Sequence, residues 1–175
     1  MADYSSAPNK QGLGELIPHG TLAKGWFVVE PFNAANGQIE TPPKAGGEGK
    51  NSYLKARIVI TEGEHERRNV FHNLMCGPEK KAADMGGAQM RAILEFGNGF
   101  PTNPRWAFID DDYGQLWDDA RGGGMPCAIK IAIEKPDEES KKRGYDKNKN
   151  VVAAFLSPNP ESDSHKDYLR LMRGE

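Results

Sequence analysis

The strongest constraint on the fold is a two-residue alternation of apolar and polar side chains. Residues 53–61 read YLKARIVIT, the pattern of a strand with one face buried and the other wet. Leu54, Ala56, Ile58 and Ile60 are expected to face a core, and Tyr53, Lys55, Arg57, Val59 and Thr61 to face out. Residues 126–133, PCAIKIAI, alternate in the same way, with Cys127, Ile129, Ile131 and Ile133 on one face. Two such strands need further strands to bury their apolar sides.

Those strands are readable on either side. Residues 21–32, TLAKGWFVVEPF, are rich in aromatic and β-branched side chains and read as a first strand. A loop dense in Gly, Pro and Asn follows over 33–51, long enough to be functional or disordered. After the polar turn 62–66, residues 69–75 (NVFHNLM) return as a third strand, with Phe71 and Leu74 on opposite faces. Residues 79–96 read as a helix stopped by Gly97 and interrupted by Gly86-Gly87, because glycine weakens a helix interior. A short helix over 112–120 is expected from Tyr113, Leu116, Trp117 and Ala120, followed by a Gly-rich joint over 121–124. A charged loop over 134–150 and a last strand over 151–156 complete the series.

Five strands with a helix between the third and fourth is the element order of an OB-fold. The expected class is therefore mainly β with helical insertions, an OB-fold-like five-stranded barrel. Its expected divisions are a flexible leader over 1–15, the barrel domain over 16–157 and a polar tail over 158–175. Within the tail, residues 168–172 form an amphipathic turn. In such a barrel the outer face of the second and third strands floors a nucleic-acid groove. The loops after the first and fourth strands flank it.

Composition narrows the functional classes. Leu, Ile, Val and Phe supply only 32 of 175 residues, as many as Gly and Pro together, which points to a small core with long loops. A formal net charge of −2 lacks the self-repulsion that accompanies disorder and excludes a uniformly basic coat. Two cysteines, Cys76 and Cys127, are too few for a disulfide framework and fit a reducing compartment. The polar first residues lack the apolar stretch of a secretory signal, and no apolar run is long enough to span a bilayer. A cytoplasmic protein with no membrane partner is expected.

The charges are unevenly placed. Residues 44–57 carry Lys44, Lys50, Lys55 and Arg57 against Glu48, a local +3. Residues 141–149 carry Lys141, Lys142, Arg143, Lys147 and Lys149 against Asp146, a local +4. Both fall where an OB-fold keeps its groove walls. Tyr53 and Tyr145 lie among these charges, and Trp26 or Phe27, but not both, reaches the outer face of the first strand. Basic side chains neutralise phosphates, and aromatic rings stack on bases. The expected nucleic-acid-binding set is therefore Trp26, Lys50, Tyr53, Lys55, Arg57, Lys141, Lys142, Arg143, Tyr145, Lys147 and Lys149.

Other chemistry finds little support. Asp110, Asp111, Asp112, Asp118 and Asp119 lack the spacing of a calcium loop and read as a solvated turn that repels nucleic acid. His65, His72 and Cys76 lack the paired spacing and fourth ligand of a zinc site. Cys76 and Cys127 lie in apolar surroundings where a thiol stays inert. No nucleophile elbow or phosphate-binding loop is present. Neither catalysis, cofactor nor metal is expected.

The segments YLKARIVITEGE (53–64) and RNVFHNL (68–74) resemble the strand hairpin of a family of small phage-encoded single-stranded DNA-binding proteins with an OB-like fold. The segment GMPCAIKIAIE (124–134), Tyr145 and NVV (150–152) are similar to that family's later strand pair, and IPHGT (17–21) to its opening. The resemblance covers most of residues 16–156. It implies a protein of phage DNA replication or recombination in the host bacterial cytoplasm. Its implied ligand is single-stranded DNA, with RNA as an alternative, and its implied partners are further copies of itself and replication or recombination proteins. The tail differs from bacterial single-strand binders in lacking their acidic, apolar-tipped end. From the residues alone, a protein–protein interaction module, such as an adaptor or virion component, stands as the alternative.

Overall fold

A computed structural model describes residues 15–29, 38–40, 52–77, 79–98 and 124–175. Its strands are β1 (Leu22–Val29), β2 (Gln38–Glu40), β3 (Ser52–Ile60), β4 (Asn69–Gly77), β5 (Met125–Glu134) and β6 (Lys149–Phe155). Its helices are α1 (Lys80–Asn98), α2 (Glu138–Lys142) and α3 (His165–Met172).

All strand pairs are antiparallel, in the order β4-β3-β1-β5-β6. The three-residue β2 pairs with the first residues of β3, on the edge that β1 occupies further along. β1 and β2 together thus fill one strand position. β4 also approaches β6, so the five positions form a nearly closed barrel consistent with an OB-fold. The expected fold class is the observed one.

Alternation governs the core as the sequence predicts. Leu54, Ala56, Ile58 and Ile60 are buried, and so are Cys127, Ile129 and Ile131, whereas Ile133 near the end of β5 is only half-buried and Ala128, on the opposite face, is buried as well. From β1, Ala23 and Phe27 join them, and Phe27 meets the edge of the Phe155 ring. The ambiguous strand resolves once its register is fixed. Val70 and Leu74 point inward, His72 is half-buried on the same side, and Phe71 points out.

α1 runs unbroken through Gly86-Gly87. A Cβ on Gly86 would lie 1.5 Å from the Met75 carbonyl oxygen, so glycine is what lets the helix lie directly on β4. At Gly87 a Cβ would meet nothing within 4 Å. Gly97 faces Pro126, so α1 lies at the barrel end where β4 finishes and β5 begins. It contributes Met90, Ile93 and Leu94 to the core.

Three further elements differ from the sequence reading. A short strand, β2, lies in the stretch read as loop, and α2 lies within the charged 134–150 loop. The amphipathic turn near 168–172 belongs to an eight-residue helix, α3. That helix docks on the barrel: Tyr168 meets the Phe96 ring, and Asp167 bonds Lys130 at 3.2 Å. The expected helix over 112–120 and the aspartates at 110–112 and 118–119 lie outside the described residues.

A candidate nucleic-acid interface

The outer face of β1, β3 and β4 gathers a compact set of aromatic and basic side chains. Arg57, at the middle of β3, pairs in register with Val28 on β1 and Phe71 on β4. Trp26 pairs with Val59, two residues along β3, which makes it a diagonal neighbour of Arg57. Directly opposed residues have Cβ atoms about 5 Å apart and diagonal ones about 7–8 Å, within reach of long side chains. Trp26, Arg57 and Phe71 therefore form one patch across three strands.

Exposure separates the two aromatics from core residues. Trp26 is 43% and Phe71 58% exposed, whereas Phe27, next to Trp26, is fully buried. Pleating alone accounts for the difference between positions 26 and 27. Lys55 pairs with Asn73, and Tyr53 with Met75, further down the same face. Both side chains are half-buried.

Arg57 carries an unusual feature. Its Nε is buried and has no hydrogen-bond partner. A buried donor left without a partner costs about 1–3 kcal/mol, so such an atom calls for an explanation. At the upper edge of the face, Lys24 is held by Glu62 at 3.4 Å. The β3–β4 turn there closes with Arg67 in the left-handed region, at φ 70°.

The β5–β6 connection is ordered by its own charges. Asp137 caps α2, its Oδ1 accepting from the Ser140 N–H at 2.7 Å. That bond holds the Asp137 carboxyl below its usual pKa, helped by the nearby charges of Lys149 and Arg143. Lys141 pairs with Glu138 at 3.4 Å, and Arg143 with Glu139 at 2.7 Å. Gly144, at φ 87°, ends the helix and presents Tyr145, which is 72% exposed. Lys149 stands in register with Glu134. Two of the five bases counted over 141–149 are thus answered by acids three and four residues earlier, a consequence of the helix that the linear count omits.

Register also fixes where this connection lies. Leu22, the first residue of β1, pairs with Lys130, so the β5–β6 connection lies beyond the start of β1. The β1–β3 connection leaves from the other end of β1, at Val29. Lys55 and Arg57, towards the Val29 end, and the segment 141–149 therefore belong to opposite ends of the first strand. Of the expected site residues, Trp26, Tyr53, Lys55 and Arg57 share one face. Lys141, Lys142, Arg143, Tyr145, Lys147 and Lys149 share a separate hairpin. Lys50, with Lys44, lies outside the described residues.

Phe71 is the residue that the linear reading misses. The signal was available in the strand itself: taking Val70 and Leu74 as the inward pair places Phe71 outward. Of the reactive groups read in the sequence, His72 is occupied and Cys127 inert. His72 bonds Gln89 at 2.9 Å, and burial holds its pKa below the ordinary value. Burial pushes the Cys127 thiol up to about 12, which leaves it protonated at neutral pH. Among the described residues, no group of His, Cys, Asp and Glu side chains is arranged to hold a metal ion. No described helix is long and apolar enough to cross a membrane.

Comparison with protein-family models and with curated proteins finds no match to this chain.

Proposed function

We propose that this protein binds single-stranded DNA without strong sequence preference and without catalysis, in phage replication or recombination. The observation that carries this reading is the patch in which exposed Trp26 and Phe71 flank Arg57 on the outer face of an OB-fold-like barrel. Every base has a π-face, so stacking on such rings tolerates any sequence, and a guanidinium between them can meet the phosphate that links two stacked bases. The basic hairpin at the β5–β6 connection would extend the contact to further phosphates through Lys142, Lys147 and Lys149. The resemblance of residues 53–74 and 124–152 to phage single-strand binders supports the same reading. It also supplies its proposed setting, the host cytoplasm, and its proposed partners.

Fluorescence anisotropy of a labelled oligothymidine, titrated with the protein at low and high salt, tests the proposal. Binding that tightens as salt is lowered is expected. Absence of binding at micromolar protein in about 50 mM salt would overturn it, because phosphate contacts are strongest there.

A second reading draws on a different observation. Leu169 and Met172 are 42% and 50% exposed on α3, three residues apart and so on one side of the helix. An interaction module would use that side, together with Trp26 and Phe71, to hold another protein. The oligothymidine titration separates the two readings.

A further inference from the structure

A second surface feature lies at the end of β6 nearer α1, away from the basic hairpin where that strand begins. A cavity of about 490 Å³ separates one side of α1 from the connection between β6 and α3, within the size range of ligand sites. Glu95 lines it from α1, with its side chain only 5% exposed. One carboxylate oxygen, Oε1, accepts from Arg91 Nε at 3.0 Å. The other, Oε2, is buried and has no hydrogen-bond partner.

A carboxylate accepts through both oxygens, and leaving one buried and unmet is costly. The surroundings indicate which donor would correct this. Glu161 and Asp163 line the opposite wall, so the cavity carries three carboxylates against the single guanidinium of Arg91 among its described lining residues. This excess of negative charge repels phosphate and separates the cavity from any nucleic-acid surface. Ala92, Ala154 and Phe155 supply an apolar lining that suits the methylene stem of a long cationic side chain.

We propose that this cavity receives an arginine side chain from a protein partner, with Glu95 as its anchor. A guanidinium is the preferred cation because its planar fork meets a carboxylate with two parallel hydrogen bonds, which an ammonium cannot do. Oε2 lies out of contact with solvent in the free protein, so in the proposed complex the carboxylate turns about its soft terminal torsion, exchanging its bond to Arg91 for the entering guanidinium. Glu161 and Asp163 steer the cation to the mouth and add little once it is seated, since both are exposed.

The test uses the full ¹⁵N-labelled chain, titrated with the peptide acetyl-Ala-Arg-Ala-amide and followed by amide chemical shifts. Saturable shifts at Gln89, Glu95 and Ser162 are expected at millimolar peptide. The same peptide with citrulline, neutral and nearly isosteric, should produce none. Glu95→Gln should weaken binding by about tenfold or more, the size expected for losing a charge-assisted pair. Arg91→Ala, at a side chain 60% exposed, frees Oε1 and should leave binding intact or tighten it. Asp163→Lys should weaken it, not by losing the small attraction of Asp163 but by setting a cation against the entering guanidinium at the cavity mouth. These two variants keep the test open if Glu95→Gln disturbs the fold. Absence of saturable shifts at these amides up to roughly 20 mM peptide, a range that detects even feeble binding, would overturn the proposal. So would equal binding of the citrulline peptide, or loss of binding in Arg91→Ala.

Discussion

The side-chain amide of Asn150 holds both backbone polar groups of Ile17, 133 residues away in sequence. Its Oδ1 accepts the Ile17 N–H at 2.9 Å, and its Nδ2 donates to the Ile17 carbonyl at 2.8 Å. In effect the amide acts as one more residue of a strand ladder. It secures the segment before β1 to β6 and lets Ile17 close the core at 1% exposure. Asn150→Ala would leave two part-buried backbone groups unmet, so a loss of about 2–4 kcal/mol is expected. Urea denaturation measures it, and a midpoint unchanged from the wild type would mean that the clamp contributes nothing.

The adjacent glycines of α1 should respond in opposite directions. Gly86→Ala places a methyl group on the Met75 carbonyl, so the helix must lift from β4, at a cost of about 3 kcal/mol or more. Gly87→Ala meets nothing within 4 Å and restricts the unfolded chain, so a gain of about 0.5–1 kcal/mol is expected. Thermal melts of the two variants side by side decide the matter. Equal effects would show that helix propensity, not the close approach to Met75, governs both sites.

That pair also shows what the sequence could and could not disclose. Wherever a strand has one wet face, side-chain alternation reports it directly, and β3 was legible residue by residue, β5 except at Ala128, which is buried, and Ile133, which is half-buried. The Gly86-Gly87 pair read as a weakness because its cause is a contact with Met75 on another element, invisible to any local pattern. α2 was hidden for a related reason. Its five residues bury nothing and are held by a cap and ion pairs, so no apolar period marks it. The candidate site was half legible: Trp26, Tyr53, Lys55 and Arg57 follow from parity, whereas Phe71 required the β4 faces to be assigned. The charge count over 141–149 overlooks the acids of the preceding turn, which answer two of its five bases.

Acid should weaken the fold through His72. The ring points inward from β4, hydrogen-bonds Gln89 and meets the Phe155 ring edge-on at 5.1 Å. Burial lowers its pKa, and the Gln89 bond only partly offsets this. In the unfolded chain the ring protonates near its ordinary value of 6.5. Below that pH the unfolded state therefore binds more protons than the folded one, and stability falls until the folded ring also titrates. Above it the contribution is complete. Urea midpoints taken from neutral to mildly acidic pH should decline in the wild type and decline less in His72→Gln. Parallel curves would show that another group carries the acid sensitivity.

The ion pairs of α2 set a limit on what its bases can give to DNA. Lys141 and Arg143 are matched to Glu138 and Glu139, and of the three bases at 141–143 only Lys142 has no ion pair among the described residues. Replacing Lys141, Lys142 and Arg143 together by Ala should lower the logarithmic salt slope of oligothymidine binding by about 0.7, one phosphate's worth for a single strand. A fall of about 2, three phosphates' worth, would mean that DNA displaces both glutamates. Glu138→Gln with Glu139→Gln should raise affinity by freeing the two bases.

Phe71 offers the sharpest test of the interface, because its binding role and its stability role separate. The ring is 58% exposed and outside the core cluster, so Phe71→Ala should shift stability by no more than about 0.5 kcal/mol. If it stacks on a base, the same change should cost about 1–3 kcal/mol of oligothymidine affinity, roughly 5- to 150-fold. Phe71→Tyr keeps the ring and should bind nearly as well, whereas Phe71→Leu keeps apolar area without a ring and should resemble Ala. Trp26→Ala should behave as Phe71→Ala does. The two losses together should fall short of additivity if one strand lies across both rings through Arg57. Equal affinity of the Leu and Tyr variants would remove stacking from the account and leave Phe71 as an apolar contact, the outcome that favours a protein partner for this face.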